Sequence, residues 1–201
     1  MRGPAARYAG AGVLLALAGV AFMLLAAGSG DAHTFDPLAE DICIVAPPIP
    51  HDPASSLSVL AARPVPPHAR CPVCGMYPAR APRWTAQLIF RDGAAQFFDS
   101  PASLFIFVRN MQRYTSAYGS TDVAASFVTD ATSGDWIATH EAHFVHGSDA
   151  LGPMRDGNLP AFASRATATA FAAERGGVVL PVSAITDELL RAFDRSRHAR
   201  H

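Results

Sequence analysis

Trp84-Thr85-Ala86-Gln87-Leu88-Ile89-Phe90, then Arg91-Asp92-Gly93, then Ala94-Ala95-Gln96-Phe97-Phe98, is the stretch on which the fold turns. Two apolar runs joined by a tight Asp-Gly turn read as a β-hairpin. Ser100 follows as an N-cap candidate with Pro101 at the first helical position, and Leu104, Phe105, Phe107, Val108 and Met111 supply a wide apolar helical face. Asp99 most simply helps to begin that helix, and no chemistry is assigned to it. After the Tyr118-Gly119 break, Ala124 to Thr129 reads as a strand, so the order is strand, strand, helix, strand.

The second half repeats this order with an insertion. Trp136 to Glu141 and Ala142 to His146 read as paired strands, and Ser164 can cap a helix whose face includes Ala168, Phe171 and Ala172. Gly176-Gly177 ends it, Val178 to Val182 makes a strand, and Asp187 to about Arg197 a final amphipathic helix. The expected fold class is therefore α+β, with two ββαβ units packed as one region, residues 69–131 and 132–201. Repetition of one topology suggests an internal duplication, with Trp84 and Trp136 as the strand starts.

Immediately before the first hairpin stands Cys71-Pro72-Val73-Cys74-Gly75-Met76, two thiols and a thioether within six residues. Thiolate with thioether selects cuprous copper, whereas zinc sites are built from Cys, His and carboxylate. Two other chemistries share the spacing. A structural zinc site would want a second Cys or His pair. The remaining cysteine, Cys43, lies 28 residues upstream of Cys71, while His68, His140, His143 and His146 keep zinc open. A thiol-disulfide oxidoreductase would need its first Cys at a helix N-terminus, and Gly75, Pro78 and Pro82 do not extend a helix. In the second unit the loop His146 to Met154 carries another soft donor in a Gly-Pro context. Met154 is thus the third ligand candidate after Cys74 and Met76, with Cys71 as a fourth donor or substitute and His146 beside the same loop. His140, His143 and His146 fall at threes, which on a hairpin do not converge.

Residues 71–107, CPVCGMYPARAPRWTAQLIFRDGAAQFFDSPASLFIF, together with HGSDALGPM at 146–154 and LPAFASRATATAFAAERGGVVL at 159–180, resemble the nitrous-oxide-reductase accessory protein family, NosL. The resemblance covers roughly residues 65 to 185. It implies two related ββαβ domains and a copper(I) metallochaperone for nitrous oxide reductase, working with that enzyme's membrane-bound maturation machinery. Many relatives are described as lipoproteins, which requires a Cys at the end of the hydrophobic run. Here Leu24-Leu25-Ala26-Ala27 is followed by Gly28.

The N-terminus fits export. Arg2 and Arg7 precede an apolar run from Tyr8 to Ala27, long enough for a signal peptide or a membrane anchor across residues 1–32, with a small-residue cleavage site ending at Ala32. The expected location is the periplasmic side of the inner membrane, either anchored or soluble after cleavage. Residues 33–68, with eight prolines between Pro37 and Pro67, read as a proline-rich tether of little regular structure, along which 42–45 and 58–60 are short apolar stretches able to dock on the domain. A net charge of −1, with 16 arginines and no lysine, gives no polybasic footprint, so nucleic acid is not an expected partner. The sequence carries no phosphate loop, nucleophile elbow or HExxH helix, and the expected role is binding, not catalysis.

Overall fold

The structure is a computed structural model that describes residues 46–153, 155 and 159–198. The segment 1–32 expected to direct export, Cys43 and Met154 lie outside the described residues. No helix among the described residues is long and apolar enough to cross a membrane.

Strands β1 (Ala86–Phe90) and β2 (Ala95–Phe98) form the expected antiparallel hairpin, with Ala86 opposite Phe98 and Ile89 opposite Ala95. Trp84 does not start the strand; it closes a short 3-10 turn, Pro82–Trp84. Helix α1 (Pro101–Arg109) begins where the sequence places it. Ser100 accepts a hydrogen bond from the Ser103 N–H at 3.3 Å, and Pro101 takes the first turn, where its missing N–H costs nothing. The helix returns the chain to β3 (Val123–Thr129), which pairs antiparallel with the other side of β1.

Beyond β3 the structure departs from the expected pairing. Trp136 to Glu141 does not pair with Ala142 to His146. Instead β4 (Trp136–Ala138) pairs with β3, giving a four-stranded sheet of order β2-β1-β3-β4. The cause is the turn at 130–135. Asp130 accepts from the Thr132 and Ser133 N–H groups at 2.6 and 3.2 Å, and its own N–H donates to the Asp135 carbonyl, which folds β4 back onto β3. A second turn at 138–142 then carries the chain into another sheet, where β5 (His143–His146) lies between β6 (Ala161–Phe162) and β7 (Val178–Pro181). Alternation had shown which side chains share a face, but not which strand pairs with which.

Helix α2 (Arg165–Arg175) is capped by Ser164, which accepts from the Thr167 N–H. It lays Ala168, Phe171 and Ala172 against Val145 and Phe162, the face the sequence assigned to it. Gly177 is required where it stands. Its φ is +97°, and a Cβ there would meet the His146 carbonyl oxygen at 2.6 Å. Helix α3 (Asp187–His198) sends Leu190 and Phe193 into the main core beside Leu88, Phe98, Phe107 and Phe144, while Arg109 of α1 pairs with Asp187 and donates to the Ile185 carbonyl. The edge-on contact of Phe105 with Phe144 carries this core from α1 to the second sheet.

Residues 46–68 of the stretch expected as a loose tether are docked on the domain. They lie on the outer face of the first sheet, where Ile49 and Val65 pack against Ile89, Ala95 and Phe97, and Ile49 exchanges two 2.8 Å backbone hydrogen bonds with Ala95. Two buried polar side chains hold them there. Gln87, fully buried, accepts from the Arg63 N–H and donates to the Arg63 carbonyl, both at 3.1 Å, and Gln96 donates to the Ala46 carbonyl. Proline removes N–H donors from the arm, so the amide side chains supply pairing that a continuous ladder cannot. Replacing Gln87 with leucine strands both Arg63 backbone groups and is expected to cost about 2 kcal/mol. Urea denaturation would read the loss, and amide exchange should accelerate selectively across residues 46–68.

Candidate metal centre

The Cys71–Met76 segment closes on itself before the first sheet begins. The Gly75 N–H donates to the Cys71 carbonyl and the Cys71 N–H to the Met76 carbonyl, both at 2.8 Å, which makes a tight turn and not a helix start. Gly75 takes a φ of +73°, a left-handed conformation that lets the chain reverse between the thiols and the thioether. Pro78–Arg80 and Pro82–Trp84 then form two 3-10 turns that carry the chain into β1.

This turn packs where β2 gives way to α1. Cys71, fully buried, belongs to the main core cluster, and Cys74 is half-buried at its edge. Asp99 completes the group. One ligand atom from each of Cys71, Cys74 and Asp99 lies within 4.8 Å of the other two. Assigning Asp99 only to helix initiation was incomplete: Ser100 does the capping, and the Asp99 side chain, 1% exposed, sits against the thiols. Its Oδ2 is buried without a hydrogen-bond partner among the described residues, and its Oδ1 receives only a long 3.5 Å bond from the Ser100 hydroxyl. The sequence signal was present in retrospect: an acidic residue directly after Phe97 and Phe98, two side chains that the hairpin buries.

The electrostatics follow from this packing. Burial pushes the Cys71 thiol well above its ordinary range, and the hydrogen bond with Cys74 and the charge of Asp99 push it further. A hydrogen bond from the Asp99 backbone N–H works weakly in the opposite direction. Cys71 thus holds its proton at neutral pH, opposite to the low-pKa, exposed thiolate that disulfide exchange requires. The donor chemistry fits a thiophilic cation: two thiols that ionise on binding, a carboxylate oxygen with no other partner, and Met76 in the same turn.

The other expected site residues are placed as follows. Met76 is half-buried, and its carbonyl closes the turn. His146 lies at the end of β5 with its ring edge-on to Phe193 at 5.6 Å, its Nδ1 buried and unpartnered among the described residues. His143, three residues earlier on the strand, points to the opposite face, and His140 is exposed beside Glu141. No described histidine joins the group formed by Cys71, Cys74 and Asp99.

Fold and site together define a small protein of mixed helix and sheet that presents a paired-thiol turn, with a buried carboxylate behind it. The sequence profile of the NosL family matches residues 63–190, well over half of the chain, and the chain belongs to that family. The crystal structure of the copper chaperone NosL from Shewanella denitrificans superposes with a TM-score of 0.56 at 22% identity, covering 64% of this chain and 98% of that one, so the fold is shared. The solution structure of apo-NosL from Achromobacter cycloclastes matches with a TM-score of 0.39 at 27% identity, over 52% of this chain and 87% of that one. No protein of curated function matches the chain.

Proposed function

We propose that this protein is a metallochaperone that carries copper(I) and delivers it for assembly of the copper centre of nitrous oxide reductase. The carrying observation is the convergence of Cys71, Cys74 and Asp99 within 4.8 Å in a turn that also contains Met76. Membership of the NosL family and the copper chaperone from Shewanella denitrificans support the cargo and the role. Cys74 and Met76 are the donors a partner reaches, Cys71 the buried anchor, Met154 a thioether from the loop between β5 and β6, and His146 a further donor at the base of that loop. The ion is cargo here, and the protein performs no chemistry on it beyond ligand exchange. An acceptor displaces the half-exposed donors first and the buried Cys71 last.

The strand order supports two related ββαβ units. In the first sheet β1 lies between β2 and β3 with α1 in the connection, and in the second β5 lies between β6 and β7 with α2 in the connection. The pseudo-repeat is therefore β5-β6-α2-β7, with the Met154 loop joining its first two strands. The charged and apolar N-terminal pattern supports work on the periplasmic side of the inner membrane, beside the reductase or its membrane-bound maturation complex. In that setting the protein takes part in denitrification.

The alternatives lose ground on specific observations. A dithiol oxidoreductase needs an ionised leading cysteine, and Cys71 is buried and protonated. A structural zinc knuckle needs four closed donors, and the described residues bring three ligand-type groups together. The test is an anaerobic titration of the reduced full chain with copper(I) against a competing cuprous chelator, in wild type and in Met154→Ala, with zinc as competitor. One tight cuprous ion, weakened about tenfold or more by the methionine change and retained against zinc, is expected. Equal affinity for both metals with an unaffected Met154→Ala variant would sink the proposal.

A further inference from the structure

The metal turn is flanked by an ordered pair of cations. Arg70, directly before Cys71, and Arg80, four residues after Met76, both place their guanidinium groups over the ring of Tyr77, at 4.5 and 4.7 Å from its centroid. Arg70 also donates to the Tyr77 hydroxyl at 2.5 Å and reaches the Gly75 carbonyl at 3.5 Å, so one guanidinium clasps the metal turn itself. Both arginines are exposed, and neither has a carboxylate within ion-pair distance among the described residues. In a chain of net charge −1, two like charges share one ring beside the thiols.

Each ring contact is weak at an exposed site, which is little return for bringing two cations together if the stack serves packing alone. What the ring does provide is preorganisation. A guanidinium is a planar fork that matches a carboxylate with two parallel hydrogen bonds, and a fork already held in place loses less freedom when it engages one.

Resting on the copper-carrier reading, we propose that Arg70, Tyr77 and Arg80 form the docking surface for an acidic protein partner, one that presents Asp or Glu side chains around its own soft metal ligands. Carboxylates on the two forks bring the partner's donors over Cys74 and Met76, where ligand exchange has to begin. Complementary charge sets the encounter rate and orientation more than the final affinity, which suits a contact that must release after transfer. An anionic bilayer seated on the same pair would cover the turn with lipid and keep the acceptor away, so a protein surface is the occupant the geometry favours.

The experiment uses the full chain and a fluorescein-labelled peptide in which two methionines are flanked by glutamates, with a second peptide carrying glutamine in their place. Anisotropy is read for metal-free and copper-loaded protein, for Arg80→Gln, and for the Arg70→Glu/Arg80→Glu pair. At low salt the acidic peptide is expected to bind about tenfold tighter than its neutral counterpart. That advantage should shrink in Arg80→Gln, vanish in the double variant, and vanish in high salt. Copper(I) affinity should stay within about threefold of wild type in Arg80→Gln, whose guanidinium does not touch the metal turn, against the 10–100-fold losses typical when a metal-supporting residue is removed. Equal binding of the two peptides overturns the proposal, as does an Arg80→Gln protein that folds normally and keeps the full preference. A difference between wild type and double variant confined to phosphatidylglycerol vesicles, read against phosphatidylcholine, replaces the protein partner with a membrane and also overturns it. Peptide preference with no copper binding would leave the docking surface standing while the carrier reading fails.

Discussion

Cys74→Ser is expected to bind copper(I) at least about 100-fold more weakly than wild type while unfolding at nearly the same urea concentration. Removing a residue that merely supports a ligand costs about 10–100-fold in metal affinity, so loss of a direct thiolate should meet or exceed the upper end of that range. Cys74 is half-buried and packs at the edge of the core, not within it. Cys71 differs. It is fully buried within the main cluster, and serine there places a hydroxyl where the core holds sulfur, so Cys71→Ser should lose both copper and stability. The pair of variants separates ligation from packing.

The same site carries a pH signature. With the Cys71 thiol held well above its ordinary range by burial, Cys74 and Asp99, metal-free protein carries that proton at neutral pH and must release it to bind the ion as thiolate. Apparent copper affinity should therefore rise with pH, with the Cys71 proton contributing a slope of about one log unit per pH unit below the thiol's raised value. Competition titrations at several pH values would read the slope, and a flat profile through neutral pH would mean that Cys71 does not bind as thiolate.

Asp130→Ala is expected to be the most destabilising single change among the polar residues, by about 3–5 kcal/mol. Asp130 is 5% exposed and accepts three backbone N–H bonds, from Thr132 at 2.6 Å, Ser133 at 3.2 Å and Ala163 at 2.8 Å. The first two close the β3–β4 turn, and the third reaches the end of β6 in the other sheet. The Ala131 N–H, donating to the Ala161 carbonyl, reinforces that junction. Hydrogen bonds to a charged acceptor contribute about 1.5–3 kcal/mol each, and alanine leaves the donors unpaired, so the loss would consume a large part of the about 5–15 kcal/mol that stabilises a typical domain.

Burial pushes the Asp130 carboxyl up, but the N–H groups of Ala163, Thr132 and Ser133, with the Thr132 hydroxyl, outweigh it and leave the group below its ordinary range. A depressed carboxylate contributes stability that is fully present above its unfolded value, near about 3.9, and is lost as pH falls through the folded one. Asp130→Asn keeps one acceptor oxygen and should be milder at neutral pH, with a flatter acid limb. Urea midpoints of both proteins from pH 6 down to about pH 3 would decide it. Parallel loss of stability would remove Asp130 from the acid transition.

Where the controlling interactions are local, the chain was legible. Ser100 with Pro101, Ser164 with Thr167, the Asp92-Gly93 turn and the Gly176-Gly177 stop each act over a few residues, and each element begins or ends where those residues predict. The Cys71–Met76 motif was equally plain, because its donors are neighbours in sequence. Proline content predicts the lack of a ladder in the arm, but it does not show that Gln87 and Gln96 supply the pairing that docks residues 46–68.

By itself, then, the sequence determined the three helices and the strands other than the two-residue β6, which faces are apolar, and that two thiols and a thioether lie in one turn. Periodicity and capping are properties of the nearest few residues and are specified by them. Tertiary structure alone decided that β4 joins the first sheet, that the arm covers its outer face, and that Asp99 stands against Cys71 and Cys74 although it lies 28 and 25 positions farther along the chain. Such pairings depend on which apolar faces bury each other and on which buried polar groups find partners, and a period of two or 3.6 residues identifies a face without naming what lies against it.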